Sequence, residues 1–170
     1  MSIKINFILA PHDISIIQYW LNEPEPTKTT MHGMSFVQNN IEDIAFFNIT
    51  YPNNVMANIH VSWLDPQKVR RIAIVGSKKM VVYDDLAENK VAIFDKGIDK
   101  MAVLGQNMDF DQGHPFTFTH RSGDVVLPKI DWKEPLQLEI DHFLNCILGN
   151  DICLTSAKHA MKVIRILQLS

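Results

Sequence analysis

The sequence is poor in cysteine, with only Cys146 and Cys153, and neither belongs to a CxxC pair. That excludes a disulfide framework and a cysteine-based zinc site as readings of the sequence, and a reducing cytoplasm is the expected compartment. Basic charge is not in excess: Lys plus Arg total 16 against 19 Asp plus Glu, a net charge of −3. Nothing there would draw nucleic-acid phosphates or an anionic membrane surface, so neither partner is expected. No apolar run approaches the ~20 residues of a membrane span. The apolar stretch within Met1–Ala10 is interrupted by Asn6 and is too short for a signal-peptide core, so export is not expected. Glycine-rich phosphate cradles are missing, with no GxGxxG and no GxxxxGK[ST]. GxSxG, HExxH and paired Cys/His spacings are missing too, which leaves no motif for a serine hydrolase or a metal site.

What is present is an ordinary globular composition over 170 residues, 46% hydrophobic and 21% charged. That is the size of one domain, read here as 1–170, with enough chain to bury a core without disulfides.

The first periodic segment runs from Pro11 to Leu21. Ile14, Ile17 and Leu21 recur at helical spacing, Ile16 and Trp20 widen the stripe, and Pro11 and Asp13 suit a helix start. Glu23-Pro24-Glu25-Pro26 ends it. Strand signals follow at Thr27–Val37, Asp43–Tyr51 and Val55–Trp63, the last two joined by Pro52-Asn53-Asn54 as a hairpin. In the third, Val55, Ala57, Ile59, Val61 and Trp63 alternate with Met56, Asn58, His60 and Ser62, so the two faces of the sheet meet different environments. Val69–Val75, Met80–Tyr83 and Lys90–Phe94 continue as a meander. Residues 95–123 read as a long loop with a short Phe116–Thr119 strand, and Val125–Leu127 as a last strand. Two amphipathic helices close the chain. The first covers Glu134–Leu148 and ends at Gly149, and the second follows a Thr155 N-cap.

A run of strands segregated from helices specifies α+β. The expected architecture is an open, mainly antiparallel (mixed) β-sheet with helices on one face and the other face available for oligomerisation. The face bearing Met56, Asn58, His60 and Ser62 is mixed polar and apolar, as subunit contacts are.

Among the seven histidines, His12 stands out. It sits in the first helical turn between Pro11 and Asp13, where the helix dipole suits an acid/base group facing a carbonyl or an anion. The same position also reads as an exposed helix-start histidine. His60 reads as an interface or solvated residue, and His142 and His159 as helix-surface residues. Trp63, Asp65, Lys68, Arg70 and Arg71 cluster at a strand–loop–strand junction. Trp63 could stack on a ligand there and a cation could pair an anionic group. A solvated turn with the indole capping the core fits equally. Cys146 reads as a core thiol on an apolar helix face.

Leu9-Ala10-Pro11-His12-Asp13-Ile14-Ser15-Ile16-Ile17 resembles the opening of the second domain of the Gfo/Idh/MocA oxidoreductases, the glucose–fructose oxidoreductase and inositol-dehydrogenase-like enzymes. The likeness continues through Val55–Trp63, Leu64–Arg71 and Val75–Asp85. It closes with Glu134-Pro135-Leu136-Gln137-Leu138-Glu139, His142-Phe143 and the Val163–Leu167 segment. It covers nearly the whole chain, about Leu9 to Leu169.

The resemblance implies a two-domain enzyme whose N-terminal Rossmann domain binds NAD or NADP and carries the catalytic lysine. Its C-terminal domain shapes the substrate site and builds the oligomer through the exposed sheet. His12 takes the place of the family histidine near the nicotinamide and the substrate hydroxyl, with Asp13, Trp63 and Lys68 as substrate-binding candidates. The family aspartate four residues earlier falls on Ile8.

The expectation is therefore a substrate-binding and oligomerisation domain from a truncated or split NAD(P)-dependent oxidoreductase acting on a sugar-like or cyclitol hydroxyl or carbonyl. This chain is expected to bind no cofactor itself and to be inactive in isolation. The expected partners are a second copy, a separate Rossmann-domain protein and a sugar-like small molecule. The rival expectation is a non-enzymatic scaffold or small-ligand-binding module.

Overall fold

The computed structural model describes residues 9–39, 41–99 and 119–169. They divide into two compact units, residues up to Pro66 with those from Lys133 onward, and residues Gln67–Trp132. All the strand pairings are antiparallel and the sheets are open, so the α+β expectation is met.

The first unit begins with helix α1, Ala10–Leu21. Pro11 occupies its first turn, where a missing N–H costs nothing. Asn22 ends it in the left-handed region at φ 62°, and Glu23 follows at φ 56° with its N–H on Gln18 O at 2.7 Å. The stop therefore precedes the prolines. Strands β1 (Lys28–Met34), β2 (Ile44–Tyr51) and β3 (Val55–Ser62) form a three-stranded sheet in that order. The β2–β3 hairpin pairs Tyr51 with Val55, and Asn53 and Asn54 supply the positive φ its tight turn needs.

One face of this sheet is the core. Ala45, Phe47, Ile49 and Tyr51 from β2 and Ile59 and Val61 from β3 are buried against Ala10 and Ile14 of α1. Val163, Ile166 and Leu167 of helix α3 (Ala157–Gln168) complete it. The expected α1 stripe needs one correction. Trp20 is exposed, and Gln18 is fully buried in the i, i+4, i+8 series with Ala10 and Ile14. Gln18 Nε2 donates to Tyr51 Oη at 3.0 Å, which satisfies the amide nitrogen, while Oε1 is buried with no partner among the described residues.

The opposite sheet face carries direct cross-strand pairs. Phe46 stacks on His60 with centroids 4.5 Å apart, and Asn58 Nδ2 donates to Asn48 Oδ1 at 2.9 Å.

Helix α2 spans Pro135–Ile147 and buries none of its residues. Phe143 and Ile147 are 62% and 65% exposed, so the apolar stripe legible in the sequence is intact but uncovered. The α3 N-cap is Ser156 rather than Thr155, its Oγ accepting from the His159 N–H at 3.3 Å.

The second unit is a four-stranded meander of β4 (Arg71–Val75), β5 (Met80–Asp84), β6 (Val91–Asp99) and β7 (Thr119–Val126). Both ends of the expected 95–123 loop are strand: β6 runs on to Asp99 and β7 begins at Thr119. Their sequences are polar and glycine-bearing and show no alternation, and the ladder between them supplies the order. A register shift falls between Phe94 and Lys96, at Asp95. Gly123 faces that shift, where a Cβ would meet Asp95 Cβ and backbone O at 2.8 Å each. The expected strand from Phe116 lies, up to residue 118, outside the described residues.

Candidate functional site

The four residues singled out from the sequence fall at three places. His12 is exposed in the first turn of α1, and Asp13 beside it is half-buried. Burial pushes the Asp13 carboxyl above its ordinary value of 3.8, and the charge of neighbouring His12 partly opposes this. An exposed imidazole beside a partly desolvated carboxyl at a helix N-terminus can hold or pass a proton to a bound hydroxyl. Trp63 follows β3 at 58% exposure, with its backbone N–H on Asp43 O at 2.9 Å. Asp43 is itself buried, and its Oδ2 accepts from the N–H groups of Phe36 and Val37 at 2.6 and 2.8 Å. Trp63 thus presents a broad indole from a tied-down strand end. Lys68 is exposed and belongs to the second unit, whereas His12, Asp13 and Trp63 belong to the first.

Arg70, taken from the sequence as part of the Trp63–Lys68 cluster, is engaged elsewhere. Its Nη1 lies 3.3 Å from Asp85 Oδ2. Asp85 Oδ1 also accepts from Tyr83 Oη at 3.0 Å and faces Lys90 Nζ at 3.7 Å. The Tyr83 hydrogen bond first, then Arg70 and Lys90, hold the Asp85 carboxyl below its ordinary value. Arg70 is thereby part of a lock on the β4–β5–β6 end of the second unit.

Sequence reasoning placed His159 on a helix surface, and that is overturned. It is 4% exposed, its Nε2 2.7 Å from Ser15 Oγ and its Nδ1 2.7 Å from Glu23 Oε1. Glu23 Oε2 in turn lies 3.1 Å from Lys162 Nζ. Hydrogen bonds from His159 and Lys162 hold the Glu23 carboxyl below its ordinary value. This chain joins the middle of α1, the residue after its C-cap and the start of α3. It fixes the helix whose first turn carries His12 and Asp13. The only sequence signal for it was a histidine four before Val163 on the buried face of α3.

Among the described residues no group of three or more His, Cys, Asp or Glu side chains could hold a metal ion. No helix among them is long and apolar enough to cross a membrane. A hollow of about 120 Å³ lies between Leu21, Pro24, Tyr51, Pro52, Asn53 and Val55. That is below the roughly 300–1,000 Å³ of ordinary small-molecule sites.

Residues 5–82 match the model of the GFO/IDH/MocA C-terminal domain. A search of curated proteins finds no match. Several solved structures share the fold. UDP-N-acetylglucosamine 3-dehydrogenase GnnA from Acidithiobacillus ferrooxidans is 23% identical, with 95% of this chain and 44% of that chain covered and a TM-score of 0.65. The WlbA dehydrogenase from Bordetella pertussis, solved with NADH and UDP-GlcNAcA, is 18% identical, with 94% and 39% covered and a TM-score of 0.58. The aldose-aldose oxidoreductase from Caulobacter crescentus, solved with glycerol, is 14% identical, with 93% and 41% covered and a TM-score of 0.62. This chain spans less than half the length of each of these structures. All four residues singled out for the site lie within the matched segment 5–82.

Proposed function

Because this chain resembles the C-terminal domain of the Gfo/Idh/MocA oxidoreductases, the family model matching residues 5–82, we propose that it is the substrate-side domain of an NAD(P)-dependent oxidoreductase acting on a hydroxyl or carbonyl of a sugar derivative. The observation that carries this reading is the matched segment itself. It runs from α1 through most of β5 and includes His12, Asp13, Trp63 and Lys68. Relatives in fold that act on, or were solved with, sugar derivatives support the substrate class.

The nicotinamide dinucleotide does not fit the described residues. A dinucleotide needs a parallel βαβ unit with a glycine-rich turn opening a helix, and every pairing here is antiparallel. In this reading the hydride chemistry is supplied by a nucleotide-binding domain of the kind the family pairs with this one, and the described residues serve the substrate side. There His12 orients the reacting hydroxyl and exchanges its proton, Asp13 sets the local charge, and Trp63 covers an apolar sugar face. The sheet face bearing Phe46, Met56, Asn58 and His60 meets a second copy of the chain.

The test is calorimetric titration of the chain with UDP-N-acetylglucosamine, UDP-glucuronate, glucose and myo-inositol, for wild type and His12→Ala. Binding of at least one sugar, weakened about tenfold or more in His12→Ala, is expected, since a hydrogen bond to a charged or polarised group contributes about 1.5–3 kcal/mol. Binding of NADH with no binding of any sugar or cyclitol overturns the reading.

The alternative is a scaffold without a small ligand. Its supporting observation is the uncovered apolar stripe of α2, and it predicts no binding of sugar or cofactor.

A further inference from the structure

His142 and Cys146 stand four residues apart on α2 and share one face. After Ile147 the chain reverses through Gly149, at φ 74°. Gly149 N–H donates to Cys146 O at 3.2 Å and Asn150 N–H to Asn145 O at 2.9 Å, the paired bonds of a Schellman turn. The reversal carries residues 151–154 back alongside the last turns of the helix. Asp151 Oδ2 comes to 3.2 Å from His142 Nδ1, and the Leu154 N–H donates to His142 Nε2 at 3.3 Å. Cys146 Sγ lies 3.5 Å from that same Nε2, and Cys153, the residue before Leu154, is brought to the same place by the Leu154 bond. The two cysteines of the sequence, both free, therefore meet beside one imidazole.

The Leu154 amide fixes the direction of proton transfer. An amide N–H can only donate, so Nε2 accepts, and the neutral ring carries its proton on Nδ1, toward Asp151. The Cys146 S–H is then a donor to Nε2, sharing that lone pair with the amide. Thiol, base and orienting carboxylate stand in the order that activates a sulfur nucleophile. Burial first, then Cys153 and Asp151, hold the Cys146 thiol above its ordinary value, so it needs such a base to react near neutral pH. Cys153 is exposed and open to reagents. The reading of Cys146 as an inert core thiol is accordingly revised: it is half-exposed on a helix that buries nothing.

We propose that Cys146 and Cys153 are a reversible disulfide-forming site, closed by thiol–disulfide exchange with a low-molecular-weight disulfide of the glutathione class, with His142 as the base and Asp151 as its positioning residue. The Cys153 thiolate attacks one sulfur of the small disulfide. Its S–S bond breaks, and one glutathione leaves as a thiolate that takes up a proton. His142 Nε2 then takes the Cys146 proton, and the Cys146 thiolate attacks the Cys153 sulfur of the mixed disulfide. The second glutathione leaves with the proton held by His142. Two protein thiols lose two electrons in all, and one glutathione disulfide becomes two thiols.

The experiment treats the reduced chain with oxidised glutathione near neutral pH, traps free thiols with an alkylating agent and measures intact mass and peptide linkage. The expected product lacks two hydrogen atoms, resists alkylation and yields a Cys146–Cys153 linked peptide. A persistent glutathione adduct, a disulfide between two chains, or two alkylated thiols overturns the proposal. In His142→Gln the Cys153 adduct should accumulate and closure should slow on the order of 100-fold, the lower end of what a positioned base contributes. That difference should shrink at high pH, where Cys146 ionises unaided. Equal closure rates at neutral pH would sink the role of His142. Cys153→Ser, which leaves the His142 cluster in place, should take up glutathione on Cys146 more slowly than the wild-type chain takes it up on Cys153, and an equal or faster adduct on Cys146 overturns the order of attack.

Discussion

Phe46 and Phe47 are adjacent on β2 and face opposite ways, which makes them a controlled test of which sheet face is the core. Phe47 is fully buried between the sheet and the helices, whereas Phe46 is 41% exposed and stacks on His60. Phe47→Ala removes the transfer free energy of the ring and leaves a cavity walled by well-packed neighbours. Together these cost about 3–5 kcal/mol. Phe46→Ala loses half-exposed area and one stacking contact, together about 1 kcal/mol. Small domains hold only about 5–15 kcal/mol in total, so Phe47→Ala consumes at least a fifth of the stability and Phe46→Ala little. Urea denaturation followed by far-UV circular dichroism measures both. With a slope on the order of 1–3 kcal/mol per M, the Phe47→Ala midpoint should fall by about 1 M or more. The Phe46→Ala midpoint should move by a few tenths of that. Because strand side chains alternate strictly, a one-residue slip of register would exchange the two results. Equal costs, or a larger one for Phe46→Ala, would refute the assigned face and with it the placement of α1 and α3.

Asp13 gives a pH-dependent prediction. Its carboxyl is raised on folding by burial, so its neutral form is favoured in the native state. Stability from that preference is fully present below the unfolded value near 3.8 and is lost as pH rises through the folded value. Asp13→Asn should therefore melt higher than wild type at pH 7, with the gap closing in acid, while sugar binding weakens. A lower melting temperature at pH 7 would contradict the sign. Gly123→Ala should destabilise the second unit by about 1–3 kcal/mol, an overpacking cost, because its Cβ would press on Asp95 and the β6 backbone. Faster hydrogen exchange confined to β6 and β7 is the expected readout, and unchanged exchange would refute the close approach.

Periodicity was enough to place α1, β2 and β3 in the chain, though not to name every buried residue of α1. In β3 the alternating set read from the sequence supplies the buried Ile59 and Val61, whereas the face of β2 was set by its pairing with β3. Periodicity found the first half of β6 and the end of β7 but missed the rest of both, where Asp95-Lys96-Gly97 and Ser122-Gly123-Asp124 carry no strand pattern. There the order comes from a ladder with a register shift, a pairing between segments far apart in the chain. It also failed for His159. Its helix stripe was legible, but its burial depends on Ser15, which is 144 residues away in sequence. Whether a polar side chain can be buried is decided by such a partner, not by its neighbours in the chain.

The site divides along the same line. His12 and Asp13 were legible because a helix start is local chemistry, set by Pro11 and the first-turn acid. The juxtaposition of Cys146 with Cys153 was not, although Gly149 was read correctly as the helix stop. A stop signal says that the chain leaves the helix, and the Schellman bonds decide where it goes next. The sequence by itself determined the α+β class and the order of most elements, because these rest on local periodicity and spacing, and the likeness to the Gfo/Idh/MocA C-terminal domain, because that rests on the residues themselves. Tertiary structure alone decided which polar groups are buried, which thiols meet and which helix stays uncovered. The burial depends on contacts between segments that are distant in the chain, and the meeting of the thiols on the turn geometry at Gly149, and neither is contained in a local hydrophobic pattern.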